Sequence, residues 1–289
     1  MIMKNRDSYI LGIDTGTTGL KTLLIDVHGN VRCRAYREYA VHHPHPDWVE
    51  QDPEDWWEAL CATIREILEQ SGVPAHRILG MGISSQGSTF VLLDEKGELV
   101  RPAVTWLDRR AEHEEESESE RIFDITGLQP FPGWTGTVLK WFHHHEPNML
   151  KNTKQLLLVG DYLGYRLTGE VCTDFSSAAR TRLLDLRRQD WCDDLLDASG
   201  VLRSQMPRLG PSGKVFGKVT SGAARVTGLC EGMPVVLGGF DQSCAMLGAG
   251  AVSRGILMVS LGTATMVCTT SPEPFVDSKW RVTTSCHAL

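Results

Sequence analysis

Two glycine-threonine turns, each directly behind a strand-like apolar run, lie toward opposite ends of the chain, and an aspartate in a third glycine-flanked turn stands between them. The first turn is Ile10-Leu11-Gly12-Ile13-Asp14-Thr15-Gly16-Thr17-Thr18-Gly19, and the second is Met258-Val259-Ser260-Leu261-Gly262-Thr263-Ala264-Thr265. The aspartate is Asp241, within Leu237-Gly238-Gly239-Phe240-Asp241-Gln242. Glycine lets a backbone turn with φ > 0 and approach a ligand closely, so successive N–H groups can converge on a phosphate while threonine hydroxyls add donors. One such turn alone is more often an ordinary hairpin tip. Two of them, each behind an apolar strand, suggest a nucleotide gripped from two sides.

A chain of 289 residues, 42% of them hydrophobic, can bury a large core in one or two domains. The balance of 29 Lys+Arg against 36 Asp+Glu gives a net charge of −7, the wrong sign for a broad nucleic-acid-binding surface. Eight cysteines, at 33, 61, 172, 192, 230, 244, 268 and 286, show neither a C-x-x-C pair nor metal-ligand spacing and read as free thiols. Residues 1–9 lack the apolar stretch of a signal peptide, and no later run reaches the ~18 apolar residues of a membrane span. The expectation is a cytoplasmic protein without membrane association.

The opening reads as an antiparallel series of strands, Tyr9–Ile13, Leu20–Asp26 and Val31–Ala40, with His28-Gly29-Asn30 as a polar tip. Asp52-Pro53-Glu54-Asp55 starts a helix, with Asp52 as N-cap and acidic residues favoured by the helix dipole. Trp56, Leu60, Ile64, Ile67 and Leu68 form its apolar stripe and Gly72 stops it. A strand at 78–84 and a hairpin of Phe90–Asp94 with Glu98–Val100 follow, making an α/β unit. Residues 154–167 and 190–202 read as helical or mixed, and the Pro/Gly-rich stretch 207–217 as a loop. The acidic run Glu112–Glu120 reads as a solvated face. His143-His144-His145 cannot all face one ion from consecutive positions and reads as a solvated helix end. Trp106 and Trp134, in loop-like sequence, are candidates for a pocket wall, and the other tryptophans read as structural.

Nearly the whole chain, from residue 9 to residue 289, resembles the FGGY-type carbohydrate kinases, the family of xylulokinase and glycerol kinase. Beyond the turns, the match runs through Gln86, Thr105-Trp106-Leu107-Asp108-Arg109-Arg110, Gly136-Thr137-Val138-Leu139-Lys140-Trp141 and Asp161-Tyr162-Leu163. It continues through Thr173-Asp174-Phe175-Ser176-Ser177-Ala178-Ala179-Arg180-Thr181 and Asp190-Trp191. The resemblance implies an α/β fold of the actin-like ATPase, ribonuclease H-like type, a mixed sheet with flanking helices. It implies an N-terminal sugar-binding kinase domain over 1–249, with 250–289 as the truncated start of a second, nucleotide-binding domain.

The activity implied is phosphoryl transfer from ATP with Mg²⁺ to a hydroxyl of a ketose or polyol. Asp241 matches the general base, and Asp14 the carboxylate that orients Mg²⁺ through water. Gly16, Thr17, Thr18 and Lys21 match the first phosphate site, and Gly262 and Thr263 the second. Gln86, Gly87, Ser88, Trp106, Asp108 and Gln242 are the sugar contacts implied. Lys21 reads equally well as an exposed strand lysine, and oligomeric state stays open, with a homodimer allowed.

The departures bear on substrate. Where xylulokinases carry Met-His after the shared glutamine, and glycerol kinase Arg-Glu, this chain has Gly87-Ser88, and Gly133 takes the place of glycerol kinase's substrate tyrosine. Val138 replaces a signature lysine, and Gln242 replaces the asparagine of xylulokinase. Glycine and serine in place of long polar side chains are expected to leave volume for a sugar bulkier than glycerol. The competing reading is an actin-like nucleotide-binding or non-catalytic sugar-binding protein. Because the second half supplies most nucleotide contacts in this family, the chain alone is expected to have little or no kinase activity.

Overall fold

A computed structural model of the chain describes residues 8–114, 119–261 and 265–289. It opens with β1 (Tyr9–Thr15), β2 (Gly19–Asp26) and β3 (Val31–Glu38), then passes through the short β4 (Glu50–Gln51) into α1 (Pro53–Ser71). Next come β5 (Ile78–Ser85), β6 (Phe90–Leu93), β7 (Ala103–Val104), α2 (Ser119–Thr126), α3 (Thr135–His145) and α4 (Pro147–Asn152). β8 (Gln155–Leu158) runs directly into α5 (Val159–Thr168), and β9 (Cys172–Asp174) into α6 (Phe175–Ala179). After β10 (Leu184–Asp185), β11 (Asp190–Trp191) and α7 (Asp193–Ala198) follow β12 (Arg208–Gly210), β13 (Val215–Lys218), α8 (Ser221–Thr227), β14 (Pro234–Phe240) and α9 (Asp241–Gly248). The antiparallel pair β15 (Leu257–Leu261) and β16 (Thr265–Thr269) comes last.

The central sheet has six strands in the order β13-β14-β5-β1-β2-β3. β1, β5 and β14 are mutually parallel, whereas β2, β3 and β13 run antiparallel to their neighbours. This is the mixed sheet expected, and it brings the carboxyl ends of three parallel strands together on one edge. A second, four-stranded sheet, β4-β7-β6-β8, stands beside it.

Strand β6 shows how the two sheets share the interior. Val91 and Leu93 join the core under the central sheet, with Trp56, Leu60 and Ile64 of α1, while Phe90 and Leu92 join a second core with Leu139 and Phe142 of α3. Alternate side chains of a strand point to opposite faces, so a strand lying between two cores must be apolar throughout. Strand β8 does the same, with Leu157 in the first core and Leu156 and Leu158 in the second.

α1 begins and ends where the sequence places its caps. The Asp52 carboxylate accepts from the Glu54 N–H at 2.9 Å, and Gly72, at φ 62, closes the last turn onto the Leu68 carbonyl. Asp52→Ala should cost about 1 kcal/mol. The check is a lower urea midpoint at unchanged m-value.

Two sequence readings need correction. The stretch 207–217 is not all loop: β12 pairs in parallel with β9, and β13 forms the outer edge of the central sheet. Strands this short leave too few residues for an alternating pattern to show through the flanking prolines and glycines. The second arm of the hairpin after β6 shrinks to a single bridge between Leu93 and Leu99, closed by the Asp94 carboxylate, which accepts from the N–H groups of Lys96 and Glu98. The segment 154–167, expected to be helical or mixed, is mixed: β8 runs into α5 without an intervening loop. Part of the acidic run Glu112–Glu120 lies outside the described residues, as do residues 1–7. Among the described residues no helix is long and apolar enough to cross a membrane.

Candidate active site

Ligands of open α/β sheets gather where parallel strands end. Here Asp14 near the end of β1 stands in register with Ser84 of β5, and Ser84 in turn with Gly239 of β14. The Ser84 hydroxyl donates to Asp14 Oδ1 at 3.1 Å. Asp241 follows directly as the first residue of α9, so two carboxylates remote in sequence flank the end of a single strand.

The approach to Asp241 is shaped by a bulge. Between Val236 and Gly239, β14 places three steps against the two from Gly82 to Ser84 on β5. Gly238 makes this feasible: a Cβ there would collide with the Ile83 carbonyl and lie 2.9 Å from the Ile83 nitrogen. Gly16, Gly19, Gly238 and Gly239 are all absent from the residues with φ > 0. The expectation that these glycines supply a left-handed turn is therefore corrected, and the contribution of Gly19, Gly238 and Gly239 is close approach. At Gly19 a Cβ would meet the Arg37 carbonyl oxygen at 2.6 Å.

Burial pushes the Asp241 carboxyl up to about 6, the N–H of Gln242 at 2.6 Å pulls it down, nearby Asp14 raises it and Arg180 lowers it. A carboxylate so placed is ionised at neutral pH yet retains real proton affinity, the property a general base needs. Its backbone is held from behind. The Phe240 N–H donates to Ser176 Oγ at 3.0 Å, and the Ser176 hydroxyl donates to Asp174, which also caps α6 through the N–H groups of Ser176 and Ser177.

The first glycine-threonine turn closes through Gly16 N–H to Gly19 O at 3.0 Å, with the Tyr39 hydroxyl donating to the Gly16 carbonyl. The Thr17 hydroxyl accepts from the Trp106 indole at 2.9 Å and donates to Gln86 Oε1 at 3.1 Å. Gln86 Nε2 donates to Gln51 Oε1 at 3.0 Å, and Gln51 Nε2 returns to the Thr17 carbonyl at 2.8 Å. An indole can only donate and a carbonyl only accept, so every direction in this ring of bonds is fixed. The Thr17 proton is thereby committed to Gln86, and of the two threonines it is Thr18, exposed, that keeps a hydroxyl for a ligand. Lys21, also exposed, lies directly across β1–β2 from Asp14. Gly262 and Thr263 lie outside the described residues.

On the expected sugar side the residues differ in what they can offer. Asp108 is 0% exposed and both its oxygens are engaged, by Arg110 Nε at 2.8 Å, Arg110 Nη2 at 2.9 Å and Val49 N–H at 2.7 Å. Its expected contact with sugar is corrected to a supporting position inside a buried ion-pair cluster with Glu50 and Arg101. The volume expected at Gly87 is taken by Phe240, whose ring would meet a Cβ there at 2.6 Å. Ser88 adopts φ 66 and its hydroxyl donates to the Arg180 carbonyl at 2.8 Å. Gln242 leaves a buried Oε1 without a partner. Trp134 donates its indole N–H to the Gln129 carbonyl and presents a ring face to Arg180, and the three consecutive histidines diverge, His144 to Glu114 and His145 onto Trp141.

Sequence reasoning did not single out Gln51, Ser176 or Arg180. Ser176 and Arg180 fall in the Thr173–Thr181 match, and Gln51 immediately precedes the Asp52 cap, but nothing local reveals that each reaches the strand ends.

The architecture is that of the actin-like ATPase fold. The chain belongs to the FGGY family of carbohydrate kinases, whose N-terminal domain model matches residues 9–248. It is 35% identical over 282 residues to the xylulose kinase of Escherichia coli (strain K12), covering 96% of this chain and 58% of that relative. The glycerol kinase of Thermococcus onnurineus (strain NA1) is 33% identical over 272 residues, covering 90% of this chain and 54% of the relative. A crystal structure titled as a xyloylose kinase from Brucella ovis superposes with a TM-score of 0.91 at 32% identity, over 97% of this chain and 58% of that one. The chain thus spans little more than half the length of these relatives.

Proposed function

We propose that this chain is the sugar-binding part of an ATP-dependent kinase acting on a ketose or polyol, with Asp241 as general base. The observation that carries the reading is the pair Asp14 and Asp241 at the ends of two parallel strands, the second held near a pKa of about 6 by burial. Asp241 accepts the proton of the substrate hydroxyl as that oxygen bonds to the γ-phosphorus and the bridge to ADP breaks. ATP supplies the phosphoryl group, and Mg²⁺ offsets its charge.

The residues fit these ligands. Among the described residues no group of three or more His, Cys, Asp or Glu could hold a metal by itself, which suits an ion kept largely in water and phosphate oxygens with Asp14 at its side. Thr18, Gly16 and Lys21 would face the phosphates, Gly262 and Thr263 the second phosphate turn, and Trp106, Ser88 and Gln242 would line the sugar. A boundary near residue 249 is supported by the end of α9 at Gly248. Since the chain spans 58% of the length of its xylulose kinase relative, low turnover by the 289-residue chain alone is part of this proposal.

ATP consumption should depend on added sugar when ketoses, polyols and aldonic acids are assayed with Mg²⁺ and a form extended to the relatives' full length. Consumption indifferent to every sugar would refute the kinase reading. Glycerol should be at least roughly tenfold poorer in kcat/KM than the best pentulose or polyol. Gly87 has no side chain and the Ser88 hydroxyl is engaged by the Arg180 carbonyl, so neither offers a small triol a donor.

A further inference from the structure

Arg180 stands beside Asp241 in the strand-end cluster and takes no part in the proposed chemistry. Its guanidinium lies over two aromatic rings, Cζ 4.4 Å from the centroid of Trp134 and 4.9 Å from that of Phe240. Its Nε is shielded from solvent and has no hydrogen-bond partner, and among the described residues no carboxylate lies within ion-pair distance of it. Elsewhere the fold treats such groups differently. Arg110 binds Asp108 and Glu50, Arg101 binds Glu50, and Arg166 binds Glu54.

Arg180 is half-buried, but its Nε is withdrawn from water without a hydrogen bond, which is costly, and its planar fork is built to take two oxygens of a carboxylate or phosphate. Contact with the two rings holds the guanidinium by cation–π attraction and uses none of its N–H donors. The location is also specific. Phe240 is the residue before Asp241, Gly87 packs on Phe240 and the Arg180 Cβ, and Ser88 bonds the Arg180 carbonyl. Burial lowers the Arg180 pKa to about 10 and Asp241 raises it, so the side chain is still a cation at neutral pH.

We propose that Arg180 is an oxyanion-binding residue of the cleft, taking either the phosphoryl group in transfer or a carboxylate carried by the sugar. The assignment rests on the kinase reading of this edge, but its test needs no ATP. Binding of inorganic phosphate, gluconate and glucitol to the 289-residue chain is measured by calorimetry and by intrinsic tryptophan fluorescence, for the native chain, Arg180→Met and Arg180→Lys. Arg180→Met should weaken phosphate or gluconate at least roughly tenfold, Arg180→Lys should keep part of the affinity, and glucitol should not respond.

Loss of phosphate binding alone identifies the phosphoryl source, and a preference for gluconate over glucitol that disappears in Arg180→Met identifies the carboxylate source. Either supports the assignment. It is overturned if neither anion binds the native chain, or if Arg180→Met binds both as well as the native chain does. An Arg180→Met chain that fails to fold overturns it too, because a guanidinium serving a ligand is not needed to hold the fold. Failure here leaves sugar-dependent ATP consumption untouched, so the two readings fall separately.

Discussion

Asp241→Asn, in a form extended to the relatives' full length, should lower kcat by roughly 10²–10⁴-fold while KM for the sugar changes little. The amide keeps the shape of the carboxyl and can still hydrogen-bond a hydroxyl, but it cannot take its proton. The pH dependence gives a second check. Desolvation raises the carboxyl to about 6, Asp14 adds to this, and the Gln242 N–H and Arg180 oppose it. The base works when deprotonated, so kcat/KM should rise with pH through about 6 and level off above. That limb should vanish in Asp241→Asn, and removing Arg180 should move it upward, since a neighbouring cation favours the carboxylate. A limb centred in the ordinary carboxylate range would count against burial as the cause, and turnover preserved in Asp241→Asn would remove Asp241 from the chemistry.

Gly238→Ala should be the most damaging single methyl group near the site. The new Cβ would collide with the backbone of Ile83 on the adjacent strand, which is hydrogen-bonded on both sides and cannot turn aside as a side chain would. Overpacking of this kind should destabilise the chain by on the order of 3 kcal/mol. Gly248→Ala is the control, since nothing lies within 4 Å of a Cβ there and its φ is not positive. Urea midpoints of the two variants should differ widely. Equal midpoints would mean that the bulge is not needed.

The sequence announces what is local and periodic. The opening strands, the caps of α1 and its buried stripe of Trp56, Leu60, Ile64 and Ile67 all follow from spacing over a few residues. Continuous apolar stretches such as Leu156-Leu157-Leu158 are ambiguous, because a strand between two cores loses its alternation. Polar partnerships formed by the tertiary fold are harder still. Asp108 reads as an available carboxylate until Arg110, two residues on, is seen folded back onto it. Gly87 reads as space until Phe240 arrives from a distant strand. The juxtaposition of Asp14 with Asp241 was expected from family resemblance and not from local pattern, since only the pairing of both strands with β5 creates it.

The ring of bonds through Trp106, Thr17, Gln86 and Gln51 has a consequence for how sugar preference could change over time. Thr17, Gln86 and Gln51 close it in one sense of rotation while the Trp106 indole donates into it, so reversing either amide sets donor against donor or acceptor against acceptor at the next step. A lineage altering Gln86 or Trp106, the sugar wall proposed above, would disturb the glycine-threonine turn after β1 in the same stroke. New preferences are more readily reached by exchanging residues outside this circuit, as at positions 87 and 88.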